Sequence, residues 1–400
     1  MVLAGAVVLG ITAGVLGTFA VLARRSLMGD ALSHAALPGV AVAFIVTGAK
    51  DPATLLLGAA VAGLLAALMI VGVERTSRIR PDAAIGVVLS SFFSLGVVLL
   101  TYISSRGNAQ QAGLESYLFG QAAGLLVEDL RTMAILAAVA LTVVAIGFRR
   151  LKVATFDREF AASVGLRLRV VELASTTLLV VAIVIGLRMV GAILMVAMLI
   201  VPAVAARQLT SRLSVMLVLA GAIGAAVGAA GSLLSARAEV PTGPVIVLVG
   251  TVVVLAAILF APGRGVTWRA ARRLRERRRE ETDALLIDLQ AATDIGEPPT
   301  TEEFAATSAR PPRAVRATLR RLERAGLVSS AGGRLRPSSA GASAAREALQ
   351  RRMLWSAWLE HGWRLELADA REPDPRDLRG SLGEAAVARL RAMASAEGAA

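Results

Sequence analysis

The chain has 400 residues, 56% of them hydrophobic, with a mean hydropathy of +0.65 and a formal net charge of +13, values that lie outside the range of a soluble domain. It contains no cysteine, which excludes disulfides, thiolate metal sites and cysteine nucleophiles. Its lysines are Lys50 and Lys152, neither in a GxxxxGKS or GxxxxGKT loop, so any ATP hydrolysis belongs to a separate polypeptide.

The first apolar run covers residues 3–23 and approaches the roughly 20 residues that a bilayer core requires. Gly10, Gly14 and Gly17 line one side of it at small-residue spacing, which predicts close approach of a neighbouring helix. Lacking a small-residue cleavage site followed by a soluble domain, this run is expected to double as an uncleaved signal anchor. It ends at Arg24 and Arg25. Asp30 and His34 then appear just before a second apolar run, 35–49. Four residues apart, the two side chains share one face of a helix. An ionisable pair at the mouth of a span marks an ion or substrate path, and His34 is one of two histidines in the chain. The alternative is a helix cap, with Asp30 capping and His34 facing lipid headgroups.

Further apolar runs follow at 53–73, 83–104, 132–148, 170–187, 190–206, 213–234 and 243–261, giving eight or nine spans. The shorter ones are expected to tilt, break or re-enter, and Pro202 is placed to break or hinge the seventh. Basic residues fall in alternate loops: Arg24 and Arg25; Arg75, Arg78 and Arg80; Arg149, Arg150, Lys152, Arg158, Arg167 and Arg169; Arg207 and Arg212. The opposite loops hold Lys50, Arg106, Arg131, Arg188 and Arg237. With nine spans, this bias puts the N-terminus outside and the tail in the cytoplasm. In the loop after the fifth span, 156–166 reads as a short amphipathic helix with Phe156, Phe160 and Val164 as its apolar stripe and Gly165 as its C-cap. It is the expected contact for a separate ATPase; the alternative is a helix lying on the lipid surface.

From Gly263 the composition changes. Arg264, Arg269, Arg272, Arg273, Arg275, Arg277, Arg278 and Arg279 crowd a segment with Trp268 at the interface, expected as a solvated juxtamembrane helix that suits anionic headgroups. Helices are then expected at 284–290, 302–307 (with a Thr300–Glu303 capping box) and 313–325. The last has an apolar face of Val315, Leu319 and Leu322. Arg313, Arg316 and Arg320 point elsewhere and are candidate nucleic-acid contacts or a solvated face. A hairpin around Ala331-Gly332-Gly333 completes the order of a winged helix-turn-helix. The expected architecture is an all-α polytopic membrane domain (1–262), a basic linker (263–282) and a cytoplasmic winged-helix domain (283–400).

The segment Gly29-Asp30-Ala31-Leu32-Ser33-His34-Ala35-Ala36-Leu37-Pro38-Gly39 resembles the signature that the manganese/zinc/iron permeases of ABC importers carry after their first span. The resemblance extends in order over about 1–261. It includes Ile85-Gly86-Val87-Val88, the Tyr117-Leu118-Phe119-Gly120 loop, Thr155-Phe156-Asp157-Arg158-Glu159-Phe160-Ala161, Leu199-Ile200-Val201-Pro202-Ala203 and Pro241-Thr242-Gly243-Pro244. The family has residues before its first span, whereas Met1 here stands almost inside it. Either Met1 is a late start and the true N-terminus is longer, or the lead is dispensable.

The resemblance implies that Asp30 and His34 handle the metal in transit. It also implies that the segment holding Phe156, Asp157, Glu159, Phe160 and Gly165 is a coupling helix seated in a groove of the ATPase subunit. The expected partners are two ATPase chains, an extracytoplasmic metal-binding lipoprotein, a second permease copy and membrane lipid. No cofactor is expected to be held permanently; the divalent ion is cargo. Carboxylate and imidazole suit manganese, iron or zinc better than Cu(I).

The helix ending at Leu354-Trp355-Ser356-Ala357-Trp358-Leu359 is similar to a segment of the DtxR-type metal-dependent repressors. Arg352 and Ser356 stand where that family has a metal-ligating His and Glu, and only His361 is nearby, so metal sensing by that route is expected to be lost. The tail's likeness to manganese- and iron-responsive regulators makes manganese the first expectation, with zinc and iron as alternatives. A membrane-tethered transcriptional regulator and a siderophore-type permease are the competing readings. The number of spans disfavours the first and the Asp30/His34 pair the second. No serine-histidine-acid set and no HExxH motif suggests an enzyme.

Overall fold

The computed structural model describes residues 1–48, 51–105, 120, 124–187, 189–365, 373–374 and 377–397. Tyr117, Leu118 and Phe119 of the resembled loop, together with Lys50, Arg106 and Arg188, lie outside the described residues. The chain divides into two compact units, Met1–Arg269 and Ala270–Ala400.

The first unit is a helical bundle: α1 (Val2–Leu22), α2 (Ser26–Thr47), α3 (Pro52–Thr76), α4 (Pro81–Ser105), α5 (Val127–Phe156), α6 (Arg158–Ser163), α7 (Leu168–Leu187), α8 (Ala192–Leu209), α9 (Leu213–Ala238) and α10 (Thr242–Phe260). Among the described residues, eight helices are long and apolar enough to cross a membrane, and α8 contributes a shorter apolar stretch, Leu194–Leu209. The expected count of eight or nine therefore stands on whether α8 is included.

Helix α2 begins at Ser26, nine residues before the expected start of its apolar run at 35. Asp30 and His34 thus sit inside the helix, on the shared face that their spacing predicts, and the helix begins well ahead of the apolar run. The polar pair interrupts the hydropathy but not the backbone, because neighbouring protein covers this part of α2: Met28, Ala31, Leu32, Ala35 and Ala36 are all buried. Asp30 does not cap the helix, whose N-cap is Arg25. The fifth helix also outruns its expected limits, 132–148, and carries Arg149, Arg150 and Lys152 on its final turns instead of in a loop. Pro38 and Pro202 both lie within continuous helices, α2 and α8, so Pro202 does not break its span. Two buried hydroxyls are satisfied within their own helices, as a dry interior demands: Thr18 donates to the Gly14 carbonyl at 2.8 Å and Ser33 to that of Gly29 at 2.8 Å.

Small residues set the closest helix contacts. Gly10 of α1 and Gly224 of α9 meet backbone to backbone, and a Cβ on either would collide with the other's carbonyl oxygen. Gly39 of α2 and Gly58 of α3 are opposed in the same way. Gly14 lies against Ala220 and Gly17 against Leu199, so the glycine face of α1 anticipated from spacing is used against two different helices, α9 and α8.

In the second unit, α11 (Val266–Ile295) is a single helix of 30 residues. The segment expected as a linker and the helix expected at 284–290 are thus one element: consecutive arginines and glutamates are good helix formers and leave no break. Thr300 caps α12 (Thr301–Thr307) through a reciprocal capping box. The Thr300 backbone N–H and hydroxyl bond Glu303 and hold its carboxyl below the usual range. Next come α13 (Pro312–Arg324) and a hairpin of β1 (Val328–Ala331) with β2 (Arg334–Pro337), in the register Val328↔Pro337 to Ala331↔Arg334. Its turn is Gly332-Gly333, both at positive φ (61° and 78°), a backbone that glycine adopts without strain. Leu285, Leu286 and Leu289 of α11, Phe304, Val315, Leu319, Leu322, Val328 and Leu335 form one core. α14 (Ser339–His361), α15 (Leu378–Leu382) and α16 (Glu384–Glu397) make smaller clusters around Leu354, Leu378 and Leu390.

The glycine contacts lead to a direct test. Gly10→Ala should destabilise the detergent-purified protein by about 1–3 kcal/mol through overpacking. Gly72→Ala, where an added Cβ meets nothing within 4 Å, should leave thermal unfolding unchanged. Equal melting temperatures for both variants would remove the backbone contact as a determinant of stability.

Candidate functional site

On α2, His34 Nε2 lies 3.4 Å from Asp30 Oδ1, and the side chains are 16% and 35% exposed respectively. Helical i, i+4 spacing brings them together, as the sequence predicts. The imidazole is held edge-on against Phe93 of α4, with ring centroids 4.9 Å apart at 77°. Its Nδ1 is buried and has no hydrogen-bond partner. The site therefore offers one carboxylate and one imidazole, oriented by an aromatic ring, with polar capacity left unfilled. Among the described residues, no group of three or more His, Asp or Glu converges. The described residues thus bring two donors together, fewer than the roughly four to six that zinc or manganese takes.

The segment after α5 is the second element of interest. Asp157 terminates α5 and caps α6, its carboxylate accepting from the Phe160 N–H at 2.8 Å. Gly165 (φ 78°) closes α6: its N–H donates to the Ala162 carbonyl and that of Leu166 to the Ala161 carbonyl. The helix expected over 156–166 is consequently shorter, six residues, with Phe156 belonging to α5. The apolar stripe nonetheless remains uncovered: Phe156, Phe160 and Val164 are 60%, 55% and 61% exposed. Glu159 is exposed beside them.

Two acidic residues that sequence reading did not single out organise the same end of the bundle. Glu74, on the last turns of α3, pairs with Arg25 at 3.0 Å. Glu172 of α7 pairs with Arg75 at 3.1 Å and also with Arg158, the first residue of α6. The signal that could have found them is a lone carboxylate beside each of two basic segments, Val73-Glu74-Arg75 and Arg169-Val170-Val171-Glu172.

In the second unit, Arg313, Arg316 and Arg320 are exposed on α13 while Val315, Leu319 and Leu322 are buried, the separation of faces that the spacing predicts. Arg352 and Ser356 are exposed on α14, and His361 is buried.

Residues 1–261 match the ABC 3 transport family. The chain belongs to that family. It is 42% identical over 287 residues to the manganese transport system membrane protein MntC of Bacillus subtilis (strain 168), across 72% of this chain and 66% of that protein, about two thirds of its length. It is 44% identical over 275 residues to the zinc transport system membrane protein TroC of Treponema pallidum (strain Nichols), across 68% of this chain and 92% of that protein. Among solved structures, PsaBC from Streptococcus pneumoniae in complex with Fab superposes with a TM-score of 0.59 at 35% identity, over 66% of this chain and 91% of that one. This ABC 3 family chain is a multi-span membrane protein, and its family match ends before α11 begins.

Proposed function

We propose that this chain is the permease subunit of an ATP-binding-cassette importer for divalent transition-metal ions, manganese first, with zinc and iron as the other cargoes. The observation that carries this is the Asp30–His34 pair: a hard carboxylate and an imidazole held together on an enclosed membrane helix, with Nδ1 unpartnered. Similarity to relatives named for manganese and zinc transport supports the same cargo. An ion leaving water needs both charge neutralisation and replacement ligands. Asp30 supplies the charge and His34 a neutral donor. A second permease copy presenting the same pair would bring the protein donors to four, which is the reason a homodimer fits this reading.

The arginine-bearing ends of the helices, which hold Arg25, Arg75, Arg158 and Arg207, face the cytoplasm in this reading, and the second unit lies there too. Phe156, Phe160 and Val164 then form the knob received by a separate ATPase, with Asp157 and Gly165 fixing its shape and Glu159 at its rim. An extracytoplasmic metal-binding lipoprotein delivers the ion from the opposite face. We read α12, α13 and the β1–β2 hairpin as a winged helix-turn-helix that serves a regulatory or ATPase-docking role. Arg313, Arg316 and Arg320 are its candidate contacts for nucleic acid or another anionic partner.

Asp30→Ala and His34→Ala should each reduce uptake of radioactive manganese or zinc by at least about tenfold, the scale on which metal sites lose affinity. Membrane insertion should remain intact, and normal uptake by both variants would remove the pair from the path.

Phe160→Asp should weaken ATPase association by about 2 kcal/mol or more, the usual scale for an aromatic anchor. Co-purification reads this directly. Retained association would move the docking contact elsewhere, first to the segment between Arg207 and Arg212.

The tail, residues 283–400, should bind Mn(II) or Fe(II) only weakly, because Arg352 repels a cation and Ser356 adds no charge to offset it. Calorimetry on the isolated domain measures this. Micromolar binding accompanied by a change in dimerisation would show a metal site.

A further inference from the structure

The ion pairs at the arginine-bearing end form a connected chain. Arg158 opens α6. Its guanidinium pairs with Glu172 of α7, whose other carboxylate oxygen takes Arg75 of α3 at 3.1 Å. Arg75 is preceded by Glu74, which pairs at 3.0 Å with Arg25, the N-cap of α2. Five residues further along α2 stands Asp30. Helices α2 and α3 are also locked backbone to backbone at Gly39 and Gly58, so a displacement of the end of α3 is carried into α2.

We propose that Glu172 is a positioning residue that transmits the movement of α6 to the metal-bearing helix through Arg75, Glu74 and Arg25. This rests on the permease reading given above. Glu172 suits the task because a single carboxylate serves two cations on different elements. Each oxygen holds one arginine, so a shift of α6 that loosens Arg158 changes the hold on Arg75. Arg25, Arg158 and Glu172 also line a cavity of about 120 Å³ together with Met28, Thr176 and Leu179, which leaves these side chains room to rearrange. Glu74 makes the far end of the chain stiff. Its side chain is 12% exposed, and its second oxygen is buried without a partner, so the carboxylate depends on Arg25.

Stability alone gives these pairs little reason to exist at the Glu172 end. Arg75 is 45% and Arg158 58% exposed, and ion pairs so open to solvent add little to folding. Variants that lack them should accordingly fold and insert, leaving transport as the informative readout.

The test uses the complete transporter, permease with its ATPase and its metal-binding lipoprotein, reconstituted in vesicles with Mn(II) as the probe. Manganese taken up per ATP hydrolysed should fall at least about fivefold in Glu172→Gln and in Arg75→Gln, the lower end of ordinary coupling between sites. ATPase co-purification should stay at the wild-type level in both. The double variant should lose no more than the worse single one, as expected for residues acting in one chain. Normal coupling in Glu172→Gln, additive losses in the double variant, or loss of ATPase binding by Arg75→Gln would each overturn the relay. If Glu172→Gln fails to reach the membrane, Arg75→Gln and Arg158→Gln decide the matter by the same ratio. Absence of manganese, zinc and iron uptake by the wild-type complex overturns the permease reading itself; wild-type uptake with unaffected variants overturns the relay alone.

Discussion

A carboxylate and an imidazole within a membrane helix must be paid for by the protein around them, and most of the bundle is arranged to meet that demand. Transfer of either group into hydrocarbon is costly, so α2 cannot face lipid along its polar turns. The bundle covers it with α3, α4, α7 and α8, and the buried residues Met28, Leu32, Leu37 and Val40 fill the spaces between. The imidazole then has one nitrogen toward Asp30, an aromatic ring against its face or edge, and one nitrogen without a partner. A site left incomplete in this way favours a ligand that supplies the missing contact. Outer helices such as α10, apolar on all sides and largely exposed, carry no such constraint and serve as the lipid-facing wall.

How far the sequence could be read depends on the range of the interaction concerned. Spans were legible because twenty apolar residues have few other stable environments. The Asp30–His34 contact was legible because both residues belong to one helix, where a fixed rise and twist place the fourth residue beside the first. The glycine face of α1 was legible from its spacing, but not its partners, since Gly224 lies more than two hundred residues away in the chain. The start of α2 was not legible from the apolar run, because hydropathy registers side-chain polarity, whereas the helix is maintained by backbone bonds and by coverage from neighbours. The length of α11 was not legible either: a solvated juxtamembrane helix and a helix at 284–290 are expected separately, yet arginines and glutamates sustain one helix without a break.

Glu74 and Glu172 were the least legible features. The partner of Glu74 lies 49 residues away and one of the two partners of Glu172 lies 97 away, and the local pattern offers only a lone carboxylate beside a basic segment. Only the folded arrangement shows that both gather arginines from elements that are distant in sequence. The segment around α6 stands between these cases. Its cap and its exposed phenylalanines follow from local spacing, while its attachment to α3 through Glu172 does not.

The two glycine contacts have a mechanical meaning of their own. Where backbones touch directly, as at Gly10 with Gly224 and at Gly39 with Gly58, no flexible side chain lies between the helices to absorb sliding. Each pair is therefore a rigid body, α1 with α9 and α2 with α3. Any rocking that opens a passage must occur along seams padded by side chains, such as the one where the His34 imidazole of α2 packs against Phe93 of α4. Asp30 and His34 ride on one of these bodies while Phe93 stands across that seam. The Asp30–His34 pair would then travel with the rocking half of the bundle, rather than wait at a fixed midpoint while gates move on either side.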